Sequence, residues 1–241
     1  MEEVQTLGID ELNTLIKQHV HSIPFENLDI MNKTGLSLDL TDLAQKVLFQ
    51  KRGGFCYELN LLFAAFLTSL GYEVHLISGR VNNGKGDFGE EHDHLCLKVE
   101  LDQPYLVDVG FGRMAECAVP LPLENVNTTV DDGKHTYRIV SFDNNYKIQL
   151  FQGPNKWRDL YLFSSDIKTI DQFEDMFKYH QTHHNSPFTQ TLIVSKPTPQ
   201  GRISISDKRL IISHRESKSI YTLESKEALE KALFDYFNIQ L

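Results

Sequence analysis

The stretch Lys51-Arg52-Gly53-Gly54-Phe55-Cys56-Tyr57-Glu58-Leu59-Asn60 decides how this chain is interpreted. Two glycines and an aromatic residue precede a cysteine, and a segment that is apolar on nearly every side then runs from Leu59 to Leu70. Such a segment predicts a buried helix that ends at Gly71. Cys56 would lie on its first turn, where unpaired N–H groups and the helix dipole favour an anion. A thiolate is such an anion and is the nucleophilic form of cysteine, whereas the alternative is a small apolar residue packed at the helix start.

Composition and charge narrow the class of protein. The chain has 241 residues, of which 41% are apolar and 24% charged, as in an ordinary globular protein. Its net charge of −9, without a long basic run, argues against binding to nucleic acid or to an anionic membrane surface. The three cysteines (Cys56, Cys96 and Cys117) have no metal-ligand spacing, so we expect no disulfide framework and no metal site. Together with the absence of a signal segment and of a long apolar run, they indicate a cytoplasmic protein.

Hydrophobic periodicity predicts a mostly helical first section followed by strands. Helices are expected at 9–22, with Asp10 as N-cap, at about 40–50, at 169–182 after a Thr169…Gln172 capping box, and from Ser225 onward. Strands are expected at 73–81, 94–101, 105–109, 156–163, 189–194, 202–206, 209–213 and 219–223, with a hairpin at 134–152 that turns at Asp143-Asn144-Asn145.

Two polar residues on these strands are candidates for a site. His94 begins a strand on its less apolar face, where the alternative interpretation is a histidine at the rim of the sheet. Asp108 interrupts an apolar strand just before Gly110-Phe111-Gly112, and a buried carboxylate needs a partner, which is a backbone N–H, a lysine or an imidazole. With a turn at Asp102-Gln103-Pro104, Asp108 lies opposite Lys98. Contact with His94 would therefore need a bulge, strand twist or a different pairing.

A third candidate is Glu26, which lies in the segment Pro24-Phe25-Glu26-Asn27-Leu28. A carboxylate among apolar residues predicts a buried cation as its partner, and Arg52 is the natural candidate. The alternative is a loop that packs Phe25 and Leu28 against the first helix.

In their order and spacing, these motifs resemble the arylamine N-acetyltransferases. The resemblance rests on the segment around Glu26, on Arg52-Gly53-Gly54-Phe55-Cys56, on His94 and on Val107-Asp108-Val109-Gly110-Phe111-Gly112, and it extends to the closing Phe237-Asn238-Ile239-Gln240-Leu241. It implies an α+β fold with a papain- or transglutaminase-like cysteine-enzyme core. That core has a helical bundle with the nucleophile helix (1–70), a β-barrel region with the His and Asp of the triad (71–165) and an α/β lid (166–241).

The resemblance also implies the site and its substrates. Cys56, His94 and Asp108 would be the catalytic triad, and Glu26 and Arg52 a supporting ion pair. Acetyl-coenzyme A would be the acetyl donor, without a metal, and a small aromatic amine the acceptor. The residues expected to bind substrate or coenzyme are Phe25, Val81, Phe111, Gly112, Tyr179 and Ser186.

The implied reaction is the N-acetylation of arylamines, hydrazines and arylhydroxylamines, as in xenobiotic metabolism. An arylamine is a weak nucleophile, so a ping-pong route through an acetyl-cysteine divides the task into two steps. One alternative is a cysteine hydrolase or a transglutaminase-type acyltransferase acting on peptides, because these enzymes share the triad. Another is a catalytically silent coenzyme-binding protein. The sequence does not predict the oligomeric state.

Overall fold

The computed structural model describes residues 7–84, 86–112, 116–122, 128–214 and 217–241. Its helices are concentrated before residue 70 and after residue 170. They are α1 (Ile9–Ser22), α2 (Leu28–Met31), α3 (Leu40–Ala44), α4 (Cys56–Ser69), α5 (Glu174–Thr182), α6 (Pro187–Gln190) and α7 (Lys226–Phe237). A π-helical turn, Gln45–Phe49, continues α3, and a 3-10 turn, Ile170–Phe173, leads into α5. None of the helices in these described ranges is long and apolar enough to cross a membrane.

The strands form two antiparallel sheets. They are β1 (Phe25–Glu26), β2 (Glu73–Val81), β3 (His94–Glu100), β4 (Pro104–Val107), β5 (Val119–Pro120), β6 (Thr129–Asp131), β7 (Thr136–Phe142), β8 (Asn145–Gly153), β9 (Lys156–Phe163), β10 (Ile193–Thr198), β11 (Gly201–Ser206), β12 (Arg209–His214) and β13 (Lys218–Thr222). The larger sheet has the order β5-β4-β3-β2-β9-β8-β7-β6 and is nearly closed, since β5 contacts β7. The smaller sheet has the order β1-β10-β11-β12-β13.

Strand β3 lies between two apolar cores. Leu95 and Leu97 belong to the core that also contains residues of α1 and α4, whereas Cys96 belongs to the core of the barrel-like sheet. The alternating pattern predicted for this strand is therefore present, but its less apolar face is buried as well. A third core lies between α7 and the smaller sheet, with Leu233 and Phe237 against that sheet.

Most predicted elements are present, but the N-cap of the first helix and the start of one strand were predicted wrongly. The first helix has Gly8 as its N-cap, and Asp10 lies inside the first turn, where an acidic side chain also suits the helix dipole. Residues 187–190 are helical instead of the start of a strand, because Ser186 caps this turn and Pro187 occupies its first position. The strand begins only at Ile193.

Several local signals were confirmed. The hairpin turns at Asp143, which adopts a φ of 51°, and the backbone N–H of Thr169 donates to Gln172 Oε1 at 2.9 Å. Helix α4 ends before Gly71, whose φ is 99°. The predicted division of the chain into three parts, with boundaries near residues 70 and 165, stays a prediction. Strand β1, from the first segment, pairs with β10 of the last one.

Candidate active site

Cys56 is the first residue of α4 and is 3% exposed. Phe55 precedes the helix, and its N–H donates to Glu58 Oε2 at 3.1 Å, which satisfies one donor at the helix start. The first N–H groups of a helix have no partner within it, so Cys56 stands where the backbone favours negative charge. Cys56 therefore lies on the first turn of the helix, as the sequence predicted.

The partner of Asp108 is His94, and the position of one turn explains why. The turn between β3 and β4 occupies residues 101–103, and Pro104 is already the first residue of β4. Leu97 therefore pairs with Val107, which brings Asp108 two residues closer to His94 than the turn expected at 102–104. Diagonal neighbours on one sheet face are within side-chain reach, and His94 Nε2 lies 2.7 Å from Asp108 Oδ2. His94 is 2% exposed, so the rim interpretation was wrong.

The Asp108 carboxylate accepts hydrogen bonds on both of its oxygens. Oδ2 accepts from His94 Nε2 at 2.7 Å and from the Tyr161 hydroxyl at 2.9 Å. Oδ1 accepts from Asn60 Nδ2 and from the backbone N–H of Gly110, each at 2.9 Å. This set of donors replaces the water that burial removes, which lets a fully buried carboxylate stay ionised.

The charges of the pair follow from these contacts. Burial by itself would lower the pKa of His94, but the Asp108 carboxylate and the interaction with Cys56 raise that pKa to about 10. Burial also acts to raise the pKa of Asp108, yet His94, Asn60 and the Gly110 N–H lower it below its ordinary value. The pair is therefore an imidazolium and a carboxylate at neutral pH. Because Nε2 is used by Asp108, Nδ1 is the ring nitrogen left for Cys56.

A second buried charge cluster supports the loop before Cys56. Arg52 donates to Glu26 Oε1 and to Asp29 Oδ1, at 2.9 Å each. Lys46 Nζ lies 2.7 Å from Asp29 Oδ2 and 2.8 Å from Glu58 Oε1. Burial raises the pKa of Glu58 to about 7, although Lys46 acts in the opposite direction. Lys46 is shared between two carboxylates, so it offsets only part of the cost of burying Glu58.

Gly53 is required by space and not by an unusual backbone angle. A Cβ atom at Gly53 would lie 1.9 Å from the carbonyl oxygen of Pro24, and its φ is outside the left-handed region. The Gly53 N–H also donates to Glu26 Oε1 at 3.2 Å. The physical cause of a glycine at this position is therefore the close approach of two chain segments.

A cleft of about 1580 Å³ opens above Cys56 and His94. Most residues predicted to bind substrate line it, namely Phe25, Val81, Phe111, Gly112 and Tyr179. Ser186 is 0% exposed, and its hydroxyl lies 3.1 Å from His180 Nδ1, so it acts within the protein interior. Among the residues that the structure describes, no three histidine, cysteine, aspartate or glutamate side chains are grouped to hold a metal ion.

Comparison with known proteins identifies the family. A sequence model of the N-acetyltransferase family matches residues 8–241. The arylamine N-acetyltransferase of Mycolicibacterium smegmatis is 31% identical, over 95% of this chain and 85% of its own length. The chain belongs to the arylamine N-acetyltransferase family.

Solved structures of this family have the same fold. The arylamine N-acetyltransferase of Bacillus cereus, described as having a Cys-His-Glu catalytic triad, has a TM-score of 0.87 at 26% identity, covering 100% of this chain and 95% of that one. The Mycobacterium marinum enzyme in complex with CoA has a TM-score of 0.87 at 28% identity, covering 96% and 87%. These matches confirm the predicted fold class. In the present chain, the carboxylate that contacts His94 belongs to an aspartate, Asp108.

Two site residues were missed by the sequence interpretation. Asn60 is the polar residue that interrupts the apolar run of α4, and this interruption was a usable signal. Tyr161 lies on β9 within an apolar run at 160–163, which does not distinguish it from a core tyrosine. Burial and Asp108 raise the pKa of Tyr161 well above its ordinary value, so its hydroxyl keeps the proton that it donates to Asp108.

The raised pKa of His94 predicts how the stability of this acetyltransferase depends on pH. The ordinary pKa of 6.5 applies to the unfolded chain, and the folded value is about 10. Since the folded pKa is the higher one, His94 contributes stability that is fully present below pH 6.5 and is lost as pH rises through about 10. Urea unfolding of wild type and His94→Gln should show that their difference in unfolding free energy falls by more than about 1 kcal/mol over this range. A difference that stays constant would contradict the assignment.

Removing Arg52 is expected to destabilise this acetyltransferase strongly. Arg52→Met keeps most of the side-chain volume but leaves Glu26, whose side chain is 0% exposed, without its cation. Breaking a buried ion pair from one side typically costs about 3–5 kcal/mol, because the remaining charge stays desolvated. Urea unfolding at pH 7 measures this loss. Lys231→Met removes an exposed ion pair with Asp235 and is the control, expected to change the unfolding free energy far less than Arg52→Met does.

Proposed function

We propose that Cys56, His94 and Asp108 are the catalytic triad of an acetyl-coenzyme A-dependent arylamine N-acetyltransferase. The observation that carries this proposal is the convergence of one sulfur, one imidazole and one carboxylate at the base of a large cleft in a chain of this family. In this arrangement Cys56 would be the nucleophile, His94 the base and Asp108 the group that orients the base.

The first half-reaction forms an acetyl-enzyme. The Cys56 thiolate attacks the carbonyl carbon of the acetyl thioester, and a new C–S bond forms. The backbone N–H of Cys56, at the start of α4, donates to the oxygen that becomes negative in the tetrahedral intermediate. When the intermediate collapses, the bond to the coenzyme sulfur breaks and the His94 imidazolium gives its proton to that sulfur. The products are acetyl-Cys56, neutral His94 and free coenzyme A.

The second half-reaction restores the starting state. The amine nitrogen attacks the acetyl carbonyl carbon, and His94 Nδ1 takes the proton that the nitrogen loses. The C–S bond to Cys56 breaks, which leaves the thiolate beside the imidazolium and releases the N-acetylated product. Asp108 keeps the imidazole in the tautomer that presents Nδ1 to the sulfur and stabilises the imidazolium.

The cleft walls are suited to an aromatic acceptor. Phe111 packs edge-on against His94 at 5.4 Å between ring centroids, and Phe25 lies on the same cleft. These rings would stack on the acceptor and keep water from the acetyl-enzyme. Val81, Gly112 and Tyr179 complete the proposed binding surface for the acceptor and the coenzyme. Ser186 would act indirectly, by holding His180 in the cleft wall.

Intact mass spectrometry tests the proposal. Mixing the protein with acetyl-coenzyme A should add one acetyl group, which peptide mapping locates on Cys56, and should release about one equivalent of free coenzyme per site. Prior alkylation of Cys56 should prevent both, and a later addition of an arylamine should remove the acetyl group. An unmodified mass together with cleavage of peptides would instead indicate the cysteine hydrolase reaction.

We also propose that the protein works in the cytoplasm. Its cysteines, Cys56, Cys96 and Cys117, are all free thiols, and the first of them must stay reduced to act as nucleophile.

A further inference from the structure

Asn60 is a fully buried amide that the two half-reactions above do not use. It lies four residues after Cys56 on α4, and therefore on the same side of the helix. Its Nδ2 group donates to the carbonyl oxygen of Leu95 at 2.7 Å and to Asp108 Oδ1 at 2.9 Å. Its Oδ1 atom accepts from the backbone N–H of Val109 at 2.9 Å.

These contacts allow only one orientation of the amide. A reversed Asn60 side chain would place its NH₂ group against the N–H of Val109, so that two donors would meet. It would also place its oxygen against the carboxylate of Asp108, so that two acceptors would meet. The amide therefore acts as a directional connector.

The connector joins the three chain segments that carry the triad. Leu95 is next to His94 on β3, Val109 is next to Asp108 after β4, and α4 carries Cys56 itself. The segments are also in direct contact, because a Cβ atom at Gly110 would lie 2.7 Å from Asn60 Nδ2 and 2.7 Å from the Cα of Cys56. Both ends of the hydrogen-bonded Asp108–His94 pair are thus held against the helix of the nucleophile.

We infer that Asn60 is a positioning residue for the proposed reaction, setting the orientation of the Asp108 carboxylate and thereby the distance between His94 and Cys56. The inference rests on the proposed function for its link to acetyl transfer. Without the amide, Asp108 Oδ1 keeps only the Gly110 N–H, and the Val109 N–H loses its partner. Losing such a supporting hydrogen bond typically costs about 10–100-fold in activity, since small displacements of reacting groups are expensive.

The decisive comparison is between Asn60→Ala and Asn60→Asp, read out as the rate of Cys56 alkylation by iodoacetamide relative to wild type at each pH. Asn60→Ala should be slower by about 10–100-fold at every pH. In Asn60→Asp, a protonated carboxyl can donate to Asp108 and accept from Val109, so part of the rate returns at low pH. As pH rises, two carboxylates face each other and the relative rate should fall again. The other ionisable groups facing this point are His94, Cys56, Tyr161 and Cys96, and all are the same in both variants.

Asn27 provides a matched control. It is also buried, at 2% exposure, and its Nδ2 donates to the carbonyl oxygens of Phe188 and Thr191 at 2.8 Å, while its Oδ1 accepts from Ile193 at 2.7 Å. Like Asn60, it makes three hydrogen bonds, but all of its partners are backbone groups and none belongs to the triad. Asn27→Asp should therefore lower the thermal stability to a similar degree, with a relative alkylation rate that does not change with pH.

The outcomes separate the inference from the proposed function. A folded Asn60→Ala protein that is alkylated at the wild-type rate would overturn the positioning role. An Asn60→Asp protein whose alkylation rate changes with pH in parallel with that of wild type would overturn it as well. Alkylation does not depend on acetyl-coenzyme A. A wild-type protein that shows the Asn60 effect but takes up no acetyl group would therefore refute the acetyl transfer alone. If Asn60→Ala does not fold, the alkylation rate of the isosteric Asn60→Asp variant, relative to wild type at two pH values, still tests the positioning role.

Discussion

Replacing Cys56 by alanine is expected to lower the rate of arylamine acetylation by a factor on the order of 10⁶, because the variant has no atom that can hold the acetyl group. The substitution removes one sulfur atom from a residue that is 3% exposed and keeps the helix start, so the fold should survive. Stopped-flow detection of free coenzyme A should show no burst, while calorimetry should still show coenzyme binding.

Cys117→Ala is the control for this result. Cys117 is a half-buried free thiol that packs against the core of the barrel-like sheet, and burial raises its pKa to about 12. Its loss should leave the coenzyme burst in place. If the Cys56→Ala protein still gained an acetyl group from acetyl-coenzyme A, another nucleophile would have to carry the reaction. If wild type bound the coenzyme without a burst, the protein would be a silent binder.

Asp108→Asn is expected to reduce the acylation rate by about 10⁴-fold, although the side chain keeps its shape. All four partners of the carboxylate are donors: His94, Tyr161, Asn60 and the Gly110 N–H. The NH₂ group of an asparagine would therefore meet a donor in either orientation. The variant also removes the charge that holds His94 protonated, so the pKa of His94 should fall well below about 10. Nitrogen NMR of the imidazole ring measures this shift directly.

Asp93→Asn makes the same change one residue before His94. Asp93 also pairs with a histidine, since its Oδ1 lies 3.1 Å from His180 Nε2. Because Asp93 does not contact the triad pair, its substitution should leave the ring titration of His94 where it is and reduce acylation far less. A wild-type acylation rate in Asp108→Asn, or an unchanged titration of His94 in that variant, would show that the carboxylate does not orient the base.

The elements of the site could be predicted because their signals are local. The buried helix after Cys56 follows from an apolar run of helical length, and the strand at His94 follows from alternation. The Asp108 position stood out because a carboxylate interrupts an apolar strand. The pair of Glu26 and Arg52 could be anticipated, since each is a charged residue in a buried context and needs a counter-charge. Asp29 and Lys46, which also carry charge in that cluster, were not anticipated, because nothing in the sequence distinguishes them from solvent-exposed charged residues.

The contact between His94 and Asp108 could not be derived from the strand pattern, because two turns fit the same hairpin. A turn at 102–104 and a turn at 101–103 leave the same strands but differ by two residues in pairing, and only the second lets the side chains meet. The choice depends on the packing of both strand faces, which a single hairpin does not reveal. Tyr161 is a similar case, since it comes from a strand 53 residues after Asp108.

The amino-acid sequence by itself determined the kinds of chemical group available and the local backbone on which each one sits: a cysteine at a helix start, a histidine on a strand and an aspartate before a glycine turn. Their distances and charge states were decided only by the tertiary structure. The reason is that hydrogen bonds such as those of Asn60 and Tyr161 to Asp108 join residues 48 and 53 positions apart. The low-dielectric surroundings that raise the pKa of His94 exist only after the cores on both faces of β3 have formed.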